Sequence, residues 1–162
     1  MSLFLVRRAA SGGSGVAGPY PCRLSTDPVP VRQTGAVAAD EKVDPAQWFS
    51  AHHQGFARVA AVTIPIRVAD PGVNAAEVIA QAVACDADAV TVAVFPEMCL
   101  TGYAIDDLVL SDSLLDAALE ALAQVVEASA DLLPVLAVGL PIASGNRIWN
   151  CAAVVHRGRV LG

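Results

Sequence analysis

Ala89-Val90-Thr91-Val92-Ala93-Val94-Phe95, stopped by Pro96, is the stretch that decides the fold class. A short, near-continuous apolar run rich in β-branched residues predicts a strand buried on both faces. Upstream, the run from Phe56 to Ile64 predicts a second strand, closed by Pro65. Between them Asn74 is the expected helix N-cap, with Glu77 at the third helical position. That helix is expected to run to about Cys85, with Val78, Ile79, Ala82 and Val83 on one face. Downstream, a loop from Pro96 to about Ile105 leads to a helix capped by Ser111 or Ser113 and ending near Ala128. Leu115, Leu119, Leu122, Val125 and Val126 form its apolar stripe, and Asp116, Glu120, Gln124 and Glu127 its polar face. A buried strand over Pro134–Leu140 follows. A turn at Ala143–Asn146 then opens a strand from Ile148 to His156. Arg157-Gly158 predicts a hairpin turn into a last strand beginning at Val160. The order β-α-β-α-β-β-β is that of an α/β layered sheet.

Composition narrows the function classes. Of the 162 residues, 55% are hydrophobic, enough for a sizeable core, and no apolar run approaches a bilayer span. The net charge is −6, and from Val68 to Asn146 there is no lysine or arginine. The same stretch holds twelve acidic residues, from Asp70 to Asp131. A nucleic-acid partner needs a basic stripe, and none is encoded, so nucleic acid and membrane are both excluded as expected partners. The cysteines Cys22, Cys85, Cys99 and Cys151 form no CxxC pair and no metal-ligand spacing. They read as buried free thiols in a cytoplasmic protein.

Residues 1–47 are expected to be a disordered tail ahead of a domain over 48–162. The tail carries Ser11-Gly12-Gly13-Ser14-Gly15 and scattered prolines, and lacks a lasting hydrophobic period. We read it as leader sequence translated from a start placed too far upstream. A flexible tail is one alternative, and Arg7 and Arg8 leave a targeting segment as another.

Ligands of an open α/β sheet gather beyond the carboxyl ends of its strands. The loop that leaves such an end here begins Phe95-Pro96-Glu97-Met98-Cys99-Leu100-Thr101-Gly102-Tyr103. Glu97, directly after a buried strand, is expected to be poorly solvated and so suited to general-base work. A carboxylate at that position also serves as a helix cap or an arginine partner in many proteins. Cys99 sits two residues on, but no electropositive setting is visible that would activate it. Cys85, Cys151 and Trp149 read as packing residues. His52 and His53 lack the second half of a metal site, so no metal is expected.

The loop Phe95, Pro96, Glu97, Gly102, Tyr103 resembles the early motif of the nitrilase, or carbon–nitrogen hydrolase, superfamily. That resemblance implies an α-β-β-α sandwich, of which this chain would supply the N-terminal half. It also implies that Glu97 is the general base of a Glu-Lys-Cys triad. In such a triad the cysteine attacks an amide or nitrile carbon and the lysine helps hold the oxyanion. Tyr103 would line the substrate pocket or pack in the core.

A closer resemblance rests on Gly55–Ala60, Asp106–Leu110 with Asp112 and Leu114–Asp116, Asp131–Pro141 and Ile148–Gly158, collinear over about Phe49 to Gly162. These stretches are similar to the N-terminal glutaminase domain of bacterial glutamine-dependent NAD synthetases. What this implies is glutamine as the substrate and homo-oligomeric complete enzymes. No cofactor is implied in this segment, since ATP would belong to a separate synthetase domain that amidates deamido-NAD. The sequence departs from the family in two ways. Its single lysine, Lys42, precedes the first strand, and no cysteine occupies the position of the family nucleophile, which lies further downstream. The expectation is therefore a truncated fragment, inactive alone. A piece of another nitrilase-superfamily amidase and a non-catalytic interaction protein remain as alternatives.

Overall fold

The computed structural model describes residues 52–162. The expected tail over 1–47 and the domain start at Trp48 lie outside the described residues. The elements, in order, are β1 (Val59–Ala61), α1 (Pro71–Ala87), β2 (Val92–Val94), a 3₁₀ turn (Asp106–Leu110), α2 (Asp112–Ala128), β3 (Val135–Ser144), β4 (Arg147–His156) and β5 (Arg159–Val160). They form one five-stranded mixed sheet in the order β1-β2-β3-β4-β5. β1, β2 and β3 run parallel, joined through the two helices, and β3, β4 and β5 form an antiparallel meander. The α/β order read from the sequence is the order observed.

Helix α1 begins earlier than Asn74, because a better start lies upstream. The Asp70 carboxylate accepts from Val73 N at 3.3 Å, and Pro71 occupies the first turn, where its missing N–H costs nothing. Asn74 is instead fully buried inside the helix. The helix ends in a 6→1 and 5→2 hydrogen-bond pair, Val90 N to Cys85 O and Ala89 N to Asp86 O, both 2.9 Å. Ala89 at φ 53° takes the left-handed position usually given to glycine. Ser111 is the N-cap residue of α2, without a side-chain capping bond, and the helix ends at Ala128 as expected. Just past that end Ser129 Oγ accepts from Gly158 N at 3.0 Å, tying the β4–β5 turn to the helix. That turn has the two consecutive positive φ values, 46° at Arg157 and 71° at Gly158, that a tight right-twisted hairpin needs.

Both helices lie on one face of the sheet. Ala75, Val78, Ala82 and Cys85 of α1 and Ala121, Leu122 and Val125 of α2 form one apolar cluster with Ala93, Phe95, Leu136, Val138, Leu140, Ala153 and Val155. Strand side chains alternate between faces, so Val59, Val92, Val94, Ala137 and Val154 point the other way. No described element covers that second face. Val94 is 49% and Val59 60% exposed. The expectation that the Ala89–Phe95 strand is buried on both faces is thus corrected. It is closed by the helices on one side and uncovered on the other. Two helix assignments are corrected as well: Leu119 on α2 and Val83 on α1 are exposed rather than core-facing. Each sits beside the true stripe, where Ala118, Ala121 and Leu122 on α2 and Ala82 on α1 already fill the contact with smaller or better-aimed side chains.

Candidate active site

Strand β2 ends at Val94, and Phe95 N makes the last ladder bond, to Ala137 O at 3.0 Å. Pro96 has no N–H to continue the ladder, so the chain leaves the sheet there. It turns at once. Cys99 N bonds Pro96 O at 3.2 Å, Thr101 N bonds Met98 O at 3.1 Å, and Gly102 N bonds Met98 O at 2.7 Å. Met98 at φ 53° and Gly102 at φ 85° provide the left-handed residues of this elbow.

Four further features clamp the elbow in place. Gly139 of β3 lies directly against it. A Cβ at Gly139 would stand 2.6 Å from both Pro96 O and Met98 N, so no side chain fits. On the far side of that residue, Leu100 N donates to Gly139 O at 3.2 Å. The buried Asn74 amide donates to Leu100 O at 2.9 Å and to Arg67 O at 2.7 Å, and accepts from Arg67 N at 2.8 Å. One side chain thus pairs three backbone groups that the two loops leave open. Ala69 N adds a bond to Thr101 O at 2.8 Å. Met98, Cys99, Leu100, Thr101 and Gly102 are all buried, and between Pro96 and Gly102 Glu97 is the residue that projects outward.

Glu97 stands exposed beyond the carboxyl end of β2, where the sequence reading put it. The expectation that it is poorly solvated is corrected, because no layer covers its side of the sheet among the described residues. Its Oε1 accepts a hydrogen bond from Asn150 Nδ2 on β4. Asn150 is opposite Pro141 in the β3–β4 register, two residues past Gly139. Asn150 lies within a stretch that carries the family resemblance, but no local pattern assigns it a role. Gly139 likewise carries no local signal, because its need for a bare Cα depends on a contact 42 positions away, with Glu97.

The remaining candidates separate from Glu97. Tyr103 is 74% exposed, so it belongs to no core, and no described contact joins it to Glu97. Cys99 is fully buried on the helix-covered side, and its Sγ lies 3.5 Å from Gly139 O. Burial pushes its thiol above the ordinary range, an effect that the hydrogen bond to Gly139 opposes. A buried, protonated thiol facing away from the carboxylate is a packing group, not a nucleophile. Cys85 is likewise buried and raised, by desolvation first and by the nearby Asp88 second. Cys151 is half-buried in β4. His52 Nε2 lies 2.9 Å from Ala89 O. Among the described residues no group of three or more His, Cys, Asp or Glu is placed to hold a metal ion. An open concavity of about 530 Å³ lies over Ala104–Ser111, next along the chain from the elbow, but Glu97 does not line it. Among the described residues no helix is long and apolar enough to cross a membrane.

Comparison with known proteins agrees with the mixed α/β fold. The carbon–nitrogen hydrolase family profile matches residues 58–162. The chain is 53% identical over 115 residues to the glutamine-dependent NAD(+) synthetase of Mycobacterium tuberculosis, covering 71% of this chain and 17% of that protein. The corresponding enzyme of Mycobacterium leprae is 49% identical over the same length. This chain therefore spans about a sixth of the length of these relatives. Among solved structures, the glutamine-dependent NAD+ synthetase of Acinetobacter baumannii superposes with a TM-score of 0.58 at 28% identity, over 64% of this chain and 19% of that one. An amidase from Nesterenkonia shares the fold alone, with a TM-score of 0.55 at 21% identity over 65% of this chain and 41% of its own. On the strength of the profile match, which includes the Phe95-Pro96-Glu97 elbow and the whole sheet from β1 to β5, the chain belongs to the carbon–nitrogen hydrolase family.

Proposed function

We propose that this chain is the base-bearing part of a glutamine-hydrolysing amidase domain that supplies ammonia for NAD synthesis from deamido-NAD. The observation that carries the reading is Glu97, held outward on a rigid elbow within a family match whose relatives are glutamine-dependent NAD synthetases. In this role Glu97 takes the proton from a cysteine thiol. The thiolate attacks the amide carbon, Glu97 returns that proton to the leaving nitrogen, and ammonia departs as the acyl-enzyme forms, which water then hydrolyses. A lysine ammonium stabilises the tetrahedral oxyanion. Neither group is supplied by the described residues. Cys99 is buried, and the one lysine, Lys42, lies outside them. Thiol and cation come, on this reading, from a complementary segment, and Tyr103 borders the substrate once that segment is seated. The domain is read as residues 48–162 of a cytoplasmic, homo-oligomeric enzyme that binds no nucleic acid and needs no cofactor in this segment. The family profile is not specific to glutamine, which leaves a second reading, a piece of another nitrilase-superfamily amidase acting on a different amide.

The test is to co-express the chain with a downstream family segment that carries the lysine and cysteine, and to measure ammonia release from glutamine and from simple amides. The assembled protein should prefer glutamine, and the chain alone should release none. Glu97→Gln should lose ~10²–10⁴-fold in turnover, the usual cost of removing a general base. Wild-type turnover in that variant would sink the assignment. Preference for a simple amide would favour the second reading.

A further inference from the structure

We propose that Asn150 is a positioning residue for Glu97, fixing the carboxylate on the open face of the sheet. The inference rests on the reading of Glu97 as the base, and it starts from the hydrogen bond between Asn150 Nδ2 and Glu97 Oε1. Both side chains are exposed, so no surrounding core forces them together. What brings them together is the backbone. The Glu97 elbow is pressed onto β3 at Gly139, and Asn150 lies on β4 opposite Pro141, on the same face as Gly139. Pro141 and Gly139 present no polar side chain that would compete for the carboxylate. An exposed glutamate has three side-chain torsions free to rotate, and one bond to a group on a paired strand selects among those rotamers.

The chemistry of the partner suits the task. An asparagine amide donates to a carboxylate without adding charge and without offering it a proton. An arginine or lysine there would form an ion pair and compete with the incoming thiol proton. Asn150 occupies a single Glu97 oxygen through Nδ2. The second oxygen stays available to accept that proton. β4 is paired with β3 from Ser144↔Arg147 to Leu136↔Val155, so the donor's backbone is fixed. A reacting group held within a fraction of an ångström is what turnover requires, and misplacement by about 1 Å costs on the order of 10²-fold.

The experiment has two arms. In the isotopically labelled 162-residue chain, the Asn150 side-chain amide signals should be displaced in Glu97→Ala, which removes the acceptor of their hydrogen bond. In the assembled glutaminase, Asn150→Leu, similar in size but without a donor, should lower kcat by between ~10- and 10²-fold with KM nearly unchanged. Asn150→Gln, which keeps the amide, should recover part of the loss, a rescue that a merely structural role would not give. Asn150 signals that ignore Glu97, or an Asn150→Leu enzyme with wild-type kcat beside a crippled Glu97→Gln, would overturn this proposal alone. Full turnover in Glu97→Gln would overturn the functional reading beneath it.

Discussion

The two faces of the sheet are built from alternate residues of the same strands, yet they differ in almost every physical respect. On the helix side Ala93, Leu136, Val138 and Leu140 lie in a closed apolar core with α1 and α2. On the other side Val59 and Val94 meet solvent, and Glu97 and Asn150 form a polar pair above the backbone of Gly139 and Pro141. The difference teaches where stability and chemistry separate in this fold. The covered face holds the strands in register. The open face carries the candidate base, and its apolar side chains are those that the second sheet of a sandwich would cover.

That contrast can be tested by substitution on each side. The largest expected effect on stability is Leu136→Ala. The side chain is fully buried, and the vacated space should cost about 2–5 kcal/mol in urea unfolding. A loss under 1 kcal/mol would mean that the helix-side core is not close-packed. Next is Gly139→Ala, at the plane between the two faces. The new methyl would press on Pro96 O and Met98 N, backbone atoms that cannot rotate away. The expected cost is about 1–3 kcal/mol, with the Glu97 and Asn150 signals displaced in NMR spectra. Unchanged spectra would show that the elbow is looser than its geometry. The smallest effect belongs to Val94→Thr on the open face. It should alter stability by less than about 0.5 kcal/mol while reducing the binding of a hydrophobic dye. A cost of 2 kcal/mol there would mean that this face is covered in solution.

Much of the fold was legible because its signals are local. The period of α2, the β-branched run around Val92 and the Arg157-Gly158 turn each depend on neighbours a few residues apart. The misread α1 start shows the limit. Asn74 and Asp70 are both good capping residues, and Pro71 decided for Asp70. Asn74 was then free to pair backbone groups at Arg67 and Leu100, a use that no local pattern announces.

The sequence by itself determined the element order, the family motif at Phe95-Pro96-Glu97 and the position of Glu97 just past a strand. Covalent adjacency and short-range periodicity are enough for these. The tertiary structure alone decided that the strand is covered on one side, that Gly139 must lack a Cβ, and that Asn150 reaches Glu97. Each of these depends on the register between strands, a long-range pairing set by the packing of both helices against the sheet, and register is what places residues 97, 139 and 150 together.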